Sequence, residues 1–260
     1  MAELLSRIAI CCIALSASGD IIDVGVILPM KGDYAWIYPK TGPGITYAVE
    51  TIAARPDILA GHTLRVNYGD SNCSDTDGPL VAIDMYIKQK THVFVGPACE
   101  YAIAPIARFS PHWNVPIITG GALVHAFSDK RQYSLLTRIG GSYAKLGEFV
   151  ESLFRQFGWR GAGLIYHSNI GTKIAQGRTA CYFIMEAIYL SLQSLNKNIW
   201  YKAFDQTETA EAGSANFSSI LKEASKNVRS KRLFSSHYLA LTPPSPPCRG
   251  AGDSVKFICR

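Results

Sequence analysis

The stretch His92-Val-Phe-Val-Gly-Pro-Ala-Cys-Glu-Tyr101 decides the fold, because an apolar run typical of a buried strand gives way to a turn and then to a helical pattern. A similar run, Thr63–Gly69, ends just before Ser71-Asn-Cys-Ser-Asp75. In a parallel α/β sheet, ligand crevices open at the carboxyl ends of the strands. Cys73 and Cys99 would lie at two such ends, either joined in a disulfide or as two buried free thiols.

Outward from this stretch, strand and helix patterns alternate along the chain. The first series has strands at 23–28, 63–69, 92–95 and 115–119 and helices at 43–54, 79–90 and 100–109. After Gly140-Gly141, a pair suited to a hinge, a second series has helices at 143–157, 181–195 and 215–228 and strands at 162–166 and 200–204. Repeated βαβ units predict an α/β fold with doubly wound parallel sheets, in a first lobe at 20–140 and a partial second lobe at 141–229.

Residues 230–260 break this pattern. The run Thr242-Pro-Pro-Ser-Pro-Pro-Cys-Arg-Gly-Ala-Gly252 cannot continue a sheet, so we predict a disordered tail that is foreign to the fold. The net charge of +6 is concentrated at 229–260, where six Lys and Arg residues face one acid, Asp253. The remainder is nearly neutral, which argues against binding to nucleic acid.

Residues 1–19 resemble a signal peptide, with an apolar run at Ile8–Leu15 that is too short to span a bilayer. The alternative is a hydrophobic N-terminal strand. Removal of the segment would take Cys11 and Cys12 with it and leave five cysteines in an oxidising compartment, an odd number that implies a missing or intermolecular partner. Two sequons predict glycosylation at Asn72 and Asn216.

Catalytic motifs are absent from the sequence. It has no Gly-x-Ser-x-Gly elbow, His-Glu-x-x-His, phosphate loop or Cys-x-x-Cys, and its six histidines are scattered. We therefore predict a binding protein rather than an enzyme, with no metal and no organic cofactor.

The helix predicted after Gly96-Pro97 offers a place for a small anion. Its first free N–H groups would lie at Ala98 and Cys99, and the hydroxyl of Ser71 would lie at the neighbouring strand end. Chloride would satisfy all three donors. The alternative is that Ser71 itself, or a water, caps the helix.

Aromatic and charged residues also gather near the predicted strand ends. Such residues are typical of peptide-binding surfaces, although each taken alone is more often an ordinary packed or exposed side chain. The set comprises Asp75, Tyr101, Arg108, Tyr133, Tyr166, Tyr182 and Glu186.

Several segments, in the same order, resemble the extracellular domain of natriuretic peptide receptors: Ala54–Leu59, Cys73–Thr76, residues 96–116 and Ser142–Val150. The resemblance covers about residues 22–230. It implies a bilobed fold like that of type I periplasmic binding proteins, a homodimer, a peptide hormone as ligand, and a parent receptor anchored in the cell membrane with this domain outside. Most such receptors are guanylate cyclases, and a clearance type lacks the cyclase.

The resemblance also implies roles for individual residues. Cys73–Cys99 would be the disulfide of the first lobe, and Ser71 with the backbone of Ala98 and Cys99 would bind the chloride needed for hormone binding. The seven aromatic and charged residues above would face the hormone. Asp84 and His112 would lie on the dimer face, and signalling would reorient the protomers.

The chain departs from the family after about residue 230. Cys181 matches a second-lobe cysteine whose partner would fall where the tail begins, and the later strands, membrane helix and intracellular modules are missing. We expect a truncated product that would be secreted if stable. One alternative is a decoy or a non-functional truncated product. Another alternative is a lobe that binds an amino-acid-like molecule through Ser142 and Thr119-Gly120-Gly121.

Overall fold

The computed structural model describes residues 19–32, 34–167, 180–195, 197–204, 214–228, 233–236 and 254–259. The chain divides into two units: the first ends at Ile139, and the second contains Leu123–Ser128 and the chain from Gly140 onward. The sequence placed 123–128 in the first lobe. That segment groups with the second unit, where the N–H of Tyr143 donates to the carbonyl of Leu123 at 2.8 Å.

The first unit is built on a five-stranded parallel sheet in the order β2-β1-β3-β4-β5. Its strands are β1 (Ile21–Leu28), β2 (Thr63–Asp70), β3 (Val93–Val95), β4 (Ile117–Thr119) and β5 (Leu136–Arg138), and its helices are α1 (Tyr38–Ala53), α2 (Asp77–Gln89) and α3 (Glu100–Trp113). The strand order reverses between β1 and β3, which is the topological switch point of a doubly wound sheet.

The core of the first unit lies where the apolar strands meet α3. Val26, Ile27 and Phe94 are fully buried in the sheet, and Ile103 and Ile106 are fully buried on the helix. Burying each such side chain contributes about 1.5–3 kcal/mol to folding. This packing sets the helix on the sheet and thereby positions the turn that precedes it.

Helix α3 continues to Trp113, beyond the predicted end at residue 109. Pro111 lies inside it and has no N–H for the carbonyl of Ala107. The hydroxyl of Ser110 donates to that carbonyl at 3.2 Å instead, so the helix tolerates the proline. Asn114, at a φ of 54°, ends the helix.

The second unit has a four-stranded parallel sheet in the order β7-β6-β9-β8. Its elements are α4 (Tyr143–Phe157), β6 (Gly161–His167), α5 (Ala180–Gln193), β7 (Asn198–Phe204), α6 (Ser214–Asn227), β8 (Leu233–Ser236) and β9 (Ser254–Cys259), with a 3-10 turn at His125–Ser128. Phe154 of α4 and Ile188 and Leu192 of α5 form its core with Leu164 of β6.

The prediction of a disordered tail over 230–260 is wrong for two segments. Residues 233–236 and 254–259 form β8 and β9, and β9 pairs with residues 161–166 of β6. The run Ser-Val-Lys-Phe-Ile-Cys259 is rich in β-branched and aromatic residues, a strand signal that the neighbouring prolines obscured. The predicted signal peptide, except for Gly19, and the proline-rich run lie outside the described residues.

Candidate functional site

The carboxyl ends of β1 and β3 diverge at the switch point of the first sheet. The chain after β1 forms a loop to Ile37, closed by a hydrogen bond from the N–H of Tyr38 to the carbonyl of Pro29. The chain after β3 forms the turn Gly96–Cys99, which leads into α3. Ligand sites in open α/β sheets form at such a divergence, so this edge is the candidate site of the first unit.

A disulfide between Cys73 and Cys99 joins the turn after β2 to the turn after β3, with the two Cα atoms 5.5 Å apart. In the chain-entropy model, closing a loop of this length stabilises the fold by about 3–4 kcal/mol. The indole N–H of Trp36, in the loop after β1, donates to the sulfur of Cys99 at 3.3 Å. The three turns at this edge are therefore held together around one sulfur atom.

Ser71 and the first residues before α3 form the predicted anion site. Ser71 is fully buried, and its hydroxyl oxygen accepts a hydrogen bond from the N–H of Cys73 at 3.4 Å. Within the described residues, neither the Ser71 hydroxyl nor the N–H groups of Ala98 and Cys99 donate a hydrogen bond. No side chain caps α3. These three groups are therefore donors without an acceptor in the described part of the chain.

The first-unit residues predicted to face a peptide differ in accessibility. Asp75 and Arg108 are exposed and Tyr101 is half-buried, whereas Tyr133 is only 2% exposed. The guanidinium carbon of Arg108 lies 5.4 Å from the centre of the Tyr133 ring. As a correction to the prediction, Tyr133 supports Arg108 from below and presents little surface of its own.

Three predicted residues of the second unit come together between α5 and the strands β6 and β7. The rings of Tyr166 and Tyr182 meet edge to face at 6.0 Å, and the hydroxyl of Tyr182 donates to Oε1 of Glu186 at 3.4 Å. They line a cavity of about 290 Å³ with Leu164, Met185, Tyr189, Leu190 and Tyr201. This cavity offers an aromatic wall and one carboxylate. Cys181, at the start of α5, is buried and disulfide-bonded.

The other predicted residues lie at the surface. Asp84 on α2 and His112 on α3 are both exposed, and Asp84 pairs with Lys88 of its own helix at 2.8 Å. Asn72 is exposed, and its side-chain amide donates to Asp77 at 3.1 Å. Asn216 lies in α6.

The amino-acid clamp considered as an alternative is not available at Thr119. Its side chain is buried, and its hydroxyl is committed to the carbonyl of Pro97 at 2.8 Å and the N–H of Gly121 at 2.9 Å. No group of residues within the described part of the chain could hold a metal ion, and no helix there is long and apolar enough to cross a bilayer.

A buried carboxylate with a lowered pKa lies away from this edge, early in β1. Asp23 is buried and accepts two hydrogen bonds from Arg65, at 2.5 and 2.8 Å. Those hydrogen bonds lower the pKa of Asp23 below its ordinary value, more than burial raises it. The pair joins β1 to β2 and contributes to the scaffold rather than to the candidate site.

Sequence reasoning missed Trp36, Tyr189 and Tyr201. Tyr189 follows Tyr182 by seven residues, so helical periodicity alone places it on the same face of α5. Tyr201, on β7, meets Tyr189 edge to face at 5.7 Å. No spacing in the sequence indicates that Trp36 contacts Cys99.

Comparison with known proteins agrees with this fold. Residues 40–236 match the family model described as the receptor family ligand binding region. The chain is 33% identical over 195 residues to atrial natriuretic peptide receptor 3 of Bos taurus, covering 72% of this chain and 35% of that protein. It is 32% identical over 186 residues to atrial natriuretic peptide receptor 2 of Rattus norvegicus, covering 70% of this chain and 17% of that receptor. The chain thus spans only a minor part of these relatives.

Among solved structures, the fold is similar to that of a solute-binding protein of an ABC transporter from R. palustris, in complex with 4-hydroxybenzoate. The TM-score is 0.56 at 16% sequence identity, and the match covers 79% of this chain and 52% of that one. This likeness shows the fold, an α/β architecture of the type I periplasmic-binding-protein kind. Because residues 40–236 match its family model and the chain has the expected parallel sheets, the chain belongs to the family described as the receptor family ligand binding region, and it is similar to the natriuretic peptide receptors.

Proposed function

We propose that this chain is the ligand-binding region of a receptor for a natriuretic-type peptide hormone. The observation that carries the proposal is the match over 72% of the chain to a receptor named for atrial natriuretic peptide. The accessible side chains of both units suit a peptide, because they combine aromatic rings with charges of both signs.

In the first unit, Asp75, Tyr101 and Arg108 are the peptide contacts. Asp75 and Arg108 are exposed and carry opposite charges, and the ring of Tyr133 beneath Arg108 limits where the guanidinium can lie. A peptide with both basic and acidic groups would find a partner for each.

In the second unit, the cavity at Tyr166, Tyr182 and Glu186 would receive an apolar or aromatic side chain of the peptide. Four of its eight lining residues are tyrosines and three are aliphatic or Met, and burying one large side chain there contributes about 1.5–3 kcal/mol to binding. Glu186, which lines the cavity, would accept a hydrogen bond from the peptide.

The proposal includes a chloride ion at Ser71, Ala98 and Cys99. The free donors described above support it, and so does the positive end of the α3 dipole. The ion would link the turn that carries Asp75 to the start of α3, which carries Tyr101. Each of these two residues lies two positions beyond a cysteine of the disulfide. This makes peptide binding dependent on chloride.

The active form would be a homodimer on the extracellular side of the cell membrane, with α2 and α3 as the dimer face. Asp84 and His112 are exposed on these two helices, together with Ile87, an exposed apolar residue. A peptide bound between protomers would signal by reorienting them.

The test is titration of the full chain with labelled atrial natriuretic peptide, in chloride and in gluconate buffer. We expect saturable binding that weakens in gluconate, and about tenfold or greater weakening by Tyr182→Ala. Tyr47→Ala is the matched control, because Tyr47 is 71% exposed on α1 and belongs to neither contact surface. A folded chain that binds no peptide in either buffer would contradict the proposal.

A further inference from the structure

We propose that Thr119 is a positioning residue that aims the backbone donors of the halide site. The inference rests on the proposed halide site at Ser71, Ala98 and Cys99. Thr119 ends β4, the neighbour of β3, and is 1% exposed. Its hydroxyl bonds to Pro97 and Gly121, which are neither proposed ion ligands nor proposed peptide contacts, so its effect passes through the turn Gly96–Cys99.

The first step is the hydrogen bond from the Thr119 hydroxyl to the carbonyl of Pro97, at 2.8 Å. A peptide group is planar, and in its trans form the C=O and N–H point in opposite directions. The carbonyl of Pro97 shares its peptide group with the N–H of Ala98. Holding that carbonyl toward Thr119 therefore directs the Ala98 N–H away from β4.

The second step concerns the next peptide group, which contains the carbonyl of Ala98 and the N–H of Cys99. A Cβ atom at Gly121 would lie 2.1 Å from that carbonyl oxygen, so the backbone of residue 121 packs directly against it. The N–H of Gly121 donates to the Thr119 hydroxyl at 2.9 Å. The same hydroxyl thus holds Gly121 in place, and Gly121 limits the rotation of the peptide group that carries the second donor.

The N–H groups of Ala98 and Cys99 are each oriented by the carbonyl of the same peptide group. The Thr119 hydroxyl holds the first of these carbonyls directly and the second through Gly121. Thr119→Val keeps the shape of the side chain but leaves the Pro97 carbonyl and the Gly121 N–H without this partner. Thr119→Ser keeps the hydroxyl. The pair of variants separates the hydroxyl from the packing of the side chain.

The experiment measures the melting temperature of the full chain against chloride concentration, with gluconate replacing chloride at constant ionic strength. We define the chloride midpoint as the chloride concentration that gives a fixed rise in melting temperature. This midpoint should rise about tenfold in Thr119→Val, as for a lost hydrogen bond, and stay within about threefold of wild type in Thr119→Ser. Equal midpoints for Thr119→Val and wild type would overturn the inference.

Two further samples keep the result decisive. If circular dichroism shows that Thr119→Val does not fold, Gly121→Ala replaces it. The added methyl displaces the Ala98 carbonyl without removing the Thr119 hydroxyl. An unchanged chloride midpoint in Gly121→Ala overturns the inference. Ser71→Ala, which removes a proposed ligand, should abolish the chloride response. If chloride does not change the melting temperature of the wild-type chain, the halide site itself is refuted, and this inference with it. If chloride raises the melting temperature of wild type and Thr119→Val alike, only this inference is refuted.

Discussion

The two units build their candidate contact surfaces in different ways. In the first unit, the surface combines Asp75, in the turn after β2, with Tyr101 and Arg108 on α3, and the Cys73–Cys99 disulfide and Trp36 hold that turn to the residues before the helix. In the second unit, the surface is a cavity made by side chains of α5, β6 and β7. The first surface therefore depends on fixed backbone geometry, whereas the second depends on packed side chains and tolerates small polar changes.

The largest effect is expected from the core beneath the second surface. Phe154 is fully buried on α4, and its ring meets Trp159 edge to face at 5.3 Å. Phe154→Ala should lower the free energy of unfolding by about 3–5 kcal/mol, measured by urea denaturation. Phe157→Ala is the control on the same helix, because Phe157 is 49% exposed and should cost much less. Equal losses would show that this core does not support the unit.

The next effect tests the covalent support of the first surface. Cys99→Ser should lower the free energy of unfolding by about 3–4 kcal/mol, because the unfolded chain regains the entropy that the disulfide removes. The loss should appear in hydrogen exchange of β3 and α3, while β6 keeps its protection. The double variant Cys73→Ser/Cys99→Ser should lose no more than Cys99→Ser; a clearly greater loss would mean that Cys73 has a role besides the disulfide.

A smaller effect is expected at the scaffold of the first unit, where pH provides the test. The folded pKa of Asp23 is lowered by its hydrogen bonds to Arg65, so the pair stabilises the fold above the ordinary value of 3.8 and loses this contribution as pH falls through the lower, folded value. Asp23→Asn should lower stability at neutral pH, and its difference from wild type should shrink in acid. Asp57→Asn, in an exposed pair with Arg55, should change little at any pH.

The smallest effect tests whether the second surface tolerates polar change. Tyr182→Phe removes only the hydroxyl that donates to Glu186 over a long 3.4 Å, so peptide affinity should fall by about threefold or less. Isothermal titration with atrial natriuretic peptide would measure it. A loss as great as that of Tyr182→Ala would mean that the second surface requires fixed polar geometry, as the first does.

The sequence predicted the parallel strands of the first unit because each is a short apolar run bounded by turn residues, and Val93–Val95 followed by Gly96-Pro97 is the clearest case. The sequence also indicated that Cys73 and Cys99 lie at the same edge of the sheet, since both follow strands. It could not predict the burial of Tyr133 or the bond from Thr119 to Pro97, because these depend on how distant turns meet in space. The proline run before residue 254 hid β9, and one of its two partner strands, β6, lies some ninety residues earlier.

The position of β9 has a consequence for the order in which the protein acquires its structure. Among the described residues, the strands of the first sheet all lie before residue 139, so these strands are made early in synthesis. The second sheet places residues 254–259 between β6 and β8, so its middle stays open until those residues leave the ribosome. During that interval the edge of β6 is unpaired and able to recruit a strand from another chain, which makes the second unit the part of the nascent protein that most needs a chaperone.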